Sequence, residues 1–137
     1  MKKRKNNLLI NILLIFVGLI IISSIYSFLI LEVVSFDMHL NVENRAGFNV
    51  TDVSIEFGTV YPGGGGFKEI FIQNKEYKKT RVVIKAYGDL KDWVSVSDNN
   101  FILKQNEYKK LKVEVNVPYD AEYKQYYGKL KIIFMRF

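Results

Sequence analysis

The sequence has no cysteine, one histidine, two prolines and no acidic residue before Glu32. Without cysteine there is neither a disulfide frame nor a thiol nucleophile, so an exported domain here must be held by its apolar core. The lone histidine, His39, cannot supply a zinc site, and a Ser-His-Asp arrangement would hang on it alone. It stands close to the apolar segment on the polar side of a strand pattern and reads as a solvated side chain. Gly63 to Gly66 are followed by no Lys-Ser/Thr and by a strand, not a helix, which excludes a phosphate loop and leaves a flexible hairpin or interstrand loop. Asp89 and Asp92, and Asp98 with Asn99 and Asn100, lack a complete calcium-ligand spacing and read as turn formers. No catalytic, cofactor-binding or metal-binding residue is assigned, no cofactor is expected, and the chain reads as a non-enzyme.

Charge is also missing from Asn6 to Leu31, directly after Lys2, Lys3, Arg4 and Lys5. A helix needs about 20 apolar residues to cross about 30 Å of hydrocarbon, and a lone span must be helical because lipid offers its backbone no partners. The alternative is a cleaved signal peptide, but signal cores run about 7–15 residues and no Ala-x-Ala-like site follows this run. The expectation is a retained anchor: residues 1–7 a cytoplasmic basic tail, 8–34 a transmembrane helix and 35–137 an extracytoplasmic domain. The basic cluster sets that orientation in the cell membrane.

The net charge of +6 first suggests nucleic acid. Four of the 20 Lys and Arg precede the run, leaving 16 to face 14 Asp and Glu, a net of +2. The basicity is mostly a topology signal, and the nucleic-acid reading loses its support. Nothing points to a small-molecule substrate either.

Beyond the run, apolar residues alternate with period two. Leu111, Val113, Val115 and Val117 oppose Lys110, Lys112, Glu114 and Asn116. Met38, Leu40 and Val42 behave likewise, as do Val53, Ile55 and Phe57, then Val82, Ile84 and Ala86, then Leu130, Ile132 and Phe134. Shorter candidates are Phe67 to Gln73, Trp93 to Val96 and Phe101 to Leu103. Tyr61-Pro62 with Gly63 to Gly66 separates strands, as do the polar turns at 97–100 and 105–107 and Pro118-Tyr119-Asp120. The expected fold is all-β: an immunoglobulin-like antiparallel β-sandwich of seven or eight strands, preceded by one N-terminal transmembrane α-helix, with a small barrel as the alternative.

Phe57-Gly58-Thr59-Val60 before Pro62-Gly63, and Ile70-Phe71-Ile72-Gln73-Asn74, open a pattern continued by Trp93-Val94, Phe101-Ile102-Leu103, Val113 to Pro118 and Tyr127-Gly128-Lys129-Leu130. From about Val53 to Phe134 this resembles the immunoglobulin-like domains of the abnormal-spindle and hydin type, relatives of major sperm protein. The pattern departs after Asn74, where Lys75-Glu76 stand in place of an expected glycine. The resemblance implies a non-catalytic module for scaffolding or protein contact, with no active site.

Two surface features remain. Asn49-Val50-Thr51 is an acceptor for N-glycosylation. Tyr119, Tyr123, Tyr126 and Tyr127 cluster after Pro118, and with Trp93 they form a candidate contact surface, because tyrosine offers a large rigid area with a polar tip. The expected role is a membrane-anchored display domain, touching lipid through 8–34 and a protein or cell-envelope partner through its outer part. Alternatives are an accessory subunit of a surface filament or secretion machine, though Lys5-Asn6-Asn7-Leu8 lacks the expected peptidase site, and a carbohydrate-binding module.

Overall fold

An apolar run alone does not say where a helix must stop. In the computed structural model, which describes residues 2–43 and 54–136, helix α1 (Lys2–Leu29) begins within the basic cluster and ends five residues before position 34. Strand β1 (Ile30–Val42) follows at once, with no linker. Residues 30–34 therefore belong to a strand and not to the expected helix. The cause is tertiary: Ile30, Val33 and Val34, all β-branched, find partners in Met135, Ile133 and Ile132 of the last strand. Within α1, Leu8–Leu29 is long and apolar enough to cross a membrane and is not buried against the rest of the chain. Ser24 Oγ donates to Ile20 O at 2.9 Å, so its hydroxyl is satisfied within the helix.

Seven further strands complete the fold: β2 (Ser54–Val60), β3 (Gly65–Gln73), β4 (Lys79–Gly88), β5 (Val94–Val96), β6 (Phe101–Lys104), β7 (Tyr108–Asn116) and β8 (Gln125–Arg136). They form a five-stranded sheet in the order β2-β1-β8-β4-β6 and a three-stranded sheet in the order β3-β7-β5. This is an immunoglobulin-like sandwich of eight strands behind one N-terminal apolar helix. Its pairs are antiparallel except β1 with β2, which run parallel with Met38 beside Ile55 and Val42 beside Val60.

The inner faces are the alternating sets read from the sequence. Met38, Leu40, Val42, Ile55, Phe57, Val82, Ile84, Leu111, Val113, Val115, Val117, Leu130, Ile132 and Phe134 are all buried in one core. Each such side chain contributes about 1.5–3 kcal/mol by leaving water. Val53 and the acceptor Asn49-Val50-Thr51 lie outside the described residues.

Gly65 and Gly66 are not loop, as expected, but the first two residues of β3, paired with Asn116 and Val115. A side chain at Gly65 would place its Cβ 2.7 Å from Val115 O, so glycine lets β3 close against β7 there.

The turn after β3, which lacks the expected glycine, is organised by Asn74. This residue is buried; its amide donates to Tyr77 O at 2.6 Å and Leu103 O at 3.2 Å and accepts from Tyr77 N at 3.0 Å. A side chain thus takes the place of a tight backbone turn.

Because β1 leaves the helix at Ile30, the sandwich has two distinct poles. Segments 74–78 and 104–107 lie at the near pole, tied by the Gln105 N to Lys78 O bond of 3.2 Å. Segments 61–64, 88–93 and 117–124 lie at the far pole, cross-linked by Gly63 N to Pro118 O at 3.0 Å, Val117 N to Gly64 O at 2.8 Å and Val42 N to Lys124 O at 3.0 Å.

Candidate contact surface

The tyrosines singled out by sequence divide between the core and the surface. Strand β8 starts at Gln125, so alternation sends Tyr126 inward and Tyr127 outward. Tyr126 is only 7 % exposed and packs on Trp93 with ring centroids 4.5 Å apart, and its hydroxyl donates to Glu122 O at 3.2 Å. Trp93 and Tyr126 therefore anchor the loop from beneath and offer little contact area of their own. Tyr119, Tyr123 and Tyr127 face solvent, and Tyr119 is 90 % exposed.

The fold brings two more rings to this pole that sequence reasoning missed. Tyr61 precedes the turn that is hydrogen-bonded to Pro118, and Tyr87 ends the outer face of β4; both are exposed. The only signal for either was an aromatic residue directly before a Pro or Gly turn. Gly63, at φ +76°, makes room for the neighbouring ring: a Cβ there would come within 2.4 Å of Tyr119. Tyr127 meets His39 edge-on at 5.1 Å, and Lys131 Nζ lies 5.1 Å from the centre of the Tyr87 ring. His39 is thus not beside the helix, as its sequence position suggested. Nine residues of β1 carry it about 30 Å along the strand, to the pole bearing the tyrosines.

Lys124 and Glu122 form an ion pair at this pole. Lys124 Nζ lies 2.8 Å from Glu122 Oε2, which holds the Glu122 carboxyl below its ordinary value of 4.5 and Lys124 above its ordinary 10.5. The lowered carboxyl stabilises the fold fully above pH 4.5, and that contribution fades as pH falls through its depressed value. The raised amine stabilises fully below pH 10.5, and that contribution fades as pH rises through its elevated value. Followed by its side-chain carboxyl carbon resonance, Glu122 should therefore titrate below its ordinary 4.5, and a midpoint at 4.5 or above would show the pair to be absent.

The sites considered from sequence as metal ligands serve as turns. Asp89 Oδ2 accepts from Tyr127 N at 3.3 Å, while Asn99 pairs with both backbone groups of Ile84 at 2.8 Å, extending β4 where β6 has ended. Asp98 bonds Lys109 and Asn99 N. Among the described residues no three His, Cys, Asp or Glu side chains gather as a metal site would require.

A second aromatic set, Phe67, Phe71 and Tyr108, stands exposed on the outer face of β3 and β7. Lys112 Nζ lies 4.4 Å from the Phe67 centroid and Lys110 Nζ 5.9 Å from that of Phe71, with Lys110 also 2.7 Å from Glu69. Lysines lie over the two phenylalanines as Lys131 lies over Tyr87, whereas Tyr119 and Tyr123 at the far pole are exposed with no cation over their rings among the described residues.

No family model matches this chain, and no curated protein matches it. Among solved structures, the chain is similar to the DraE adhesin in complex with chloramphenicol succinate, with 12 % identity, TM-score 0.48 and coverage of 80 % of this chain and 99 % of that one. It is also similar to the AfaE-3 adhesin from Escherichia coli, with 12 % identity, TM-score 0.44 and coverage of 77 % and 97 %.

Proposed function

We propose that this chain is a membrane-anchored contact module that displays a tyrosine-rich pole away from the bilayer and performs no catalysis. The observation that carries the reading is the gathering of Tyr61, Tyr87, Tyr119, Tyr123 and Tyr127 at the sandwich end opposite the helix. Exposed tyrosines bring contact area with only two side-chain torsions to fix, which keeps the entropy cost of binding low. The apolar Leu8–Leu29 segment supports an anchor, and Lys2 to Lys5 support a cytoplasmic N-terminus with the sandwich outside. The partner is a protein or another cell-envelope component. The short segments resembling abnormal-spindle and hydin domains support the same scaffolding role.

The anchor reading is favoured over a cleaved leader because the charge-free run from Asn6 to Leu31 is longer than the roughly 7–15 residues of a signal core. An accessory subunit of a surface filament would use the same helix against protein instead of lipid. A carbohydrate-binding module would use the same tyrosines to stack on sugar rings.

The test is capture of partners from the native membrane by the full-length chain. Tyr119→Ala combined with Tyr123→Ala should reduce partner recovery about tenfold or more, as expected when two contact rings each carry over 1 kcal/mol. His39→Ala, which removes only an edge contact to Tyr127, should lower it far less. Recovery lost with His39→Ala and retained in the tyrosine double variant would overturn the proposal.

A further inference from the structure

The near pole carries a feature of a different kind. A surface cavity of about 690 Å³ opens there, lined by Leu31, Tyr77 and four cations: Lys78, Lys79, Lys104 and Arg136. No carboxylate stands among its described lining residues. Three parts of the chain build it. The start of β4 pairs Lys79 with Lys104 of β6, the Gln105 N to Lys78 O bond holds the adjoining turn, and Thr80 pairs with Arg136 at the end of β8. Arg136 also reaches the helix, its guanidinium carbon lying 4.2 Å from the centre of the Phe28 ring in the last turn of α1. Glu32 and Glu76 open instead onto a neighbouring groove that also contains Lys75.

The position of these cations matters as much as their sign. Leu31 and the Arg136–Phe28 contact set the cavity level with the end of the apolar helix, where a spanning segment passes from hydrocarbon into phosphate-bearing headgroups. We infer that this cavity is a docking site for the phosphate of an anionic phospholipid headgroup, seating the sandwich on the membrane surface. The inference rests on the anchor reading. It adds a function for two of these cations, Lys78 and Lys104. Clustered lysines and arginine near a charged leaflet are drawn to it by its surface potential, and the attraction falls off within a Debye length. These residues lie far from the helix in sequence, so they do not weigh in the topology signal of the N-terminal cluster.

The experiment places the full-length chain in nanodiscs of phosphatidylcholine, with and without phosphatidylglycerol, and follows amide hydrogen exchange. Exchange across 75–80 and 102–107 should slow in the phosphatidylglycerol discs, by roughly fivefold for each basic side chain that engages a headgroup. Lys78→Gln with Lys104→Gln should remove most of that difference, and high salt should do the same. Equal exchange in both discs, with Leu8–Leu29 protected, overturns the headgroup site and spares the anchor. A difference that survives the double variant also overturns the site. Inorganic phosphate added to phosphatidylcholine discs should change nothing; the same slowing there would assign the cavity to a soluble anion and overturn the lipid site. Rapid exchange of Leu8–Leu29 in both discs overturns the anchor and this proposal together.

Discussion

Val113→Asp should cost the sandwich about 3 kcal/mol or more, because it puts a carboxylate where no water reaches. Val113 is fully buried at the centre of the three-stranded sheet, flanked by Lys68 of β3 and Val96 of β5. An ionised carboxylate there has no backbone donors to satisfy it, since the β7 amides are committed to the two ladders, and the one cation beside it, Lys68 on the same face of β3, would have to give up its own water to reach it. The loss compares with a total stability of about 5–15 kcal/mol for ordinary domains, so much of the population should unfold. The neighbouring change Lys112→Gln should cost about 1 kcal/mol or less, the value of one surface ion pair and one ring contact. Urea unfolding of the full-length chain in detergent, followed by Trp93 fluorescence, measures both. Equal shifts in midpoint would mean that the faces of β7 are reversed.

Asn74→Ala should be the second large loss, about 2–4 kcal/mol, because it strands several backbone groups at once. Tyr77 N, Tyr77 O and Leu103 O all rely on the Asn74 amide, and the residue itself is buried. A water entering the gap would recover part of the cost, which sets the lower figure. Gln73→Ala, one position earlier and exposed, should be nearly neutral by the same urea assay. Exchange of the Tyr77 amide gives a local readout: it should accelerate in Asn74→Ala well beyond the change in global stability. If Tyr77 exchanges only as fast as the core, Asn74 is not what closes this turn.

The contrast between Val113 and Asn74 shows what a single sequence reveals of this fold. Alternation is a local signal, and Leu111, Val113 and Val115 carry it without help from the rest of the chain. The turn at Asn74 works through Leu103, 29 residues away, and no local pattern announces such a bond. The end of the helix was hidden for the same reason: Ile30 to Val34 are apolar in either conformation apart from Glu32, and only their pairing with Ile132 to Met135 settles the matter. Gly65 looked like loop because its value lies in the approach of β7, which sequence does not show. At the candidate surface, the loop was legible as a tyrosine cluster, but the split between Tyr126 and Tyr127 depended on where β8 began. Tyr61 and Tyr87 joined the surface only through topology, since each is distant in sequence from residues 119–127.

The absence of a linker between α1 and β1 has a mechanical consequence. A partner held at the far pole and a helix held in the membrane would pull on opposite ends of the same strand. β1 is paired with β8 along nearly its whole length, from Ile30 with Met135 to Asn41 with Gln125. Tension along that axis loads these hydrogen bonds side by side, in shear, so they must yield together and cannot peel apart singly. With 13 residues in β1 at about 3.3 Å each, the pole stands roughly 40 Å beyond the helix on a stiff post. On the proposed anchor reading, a domain joined in this way would bear a load at a set height, and a partner would have to come within that reach.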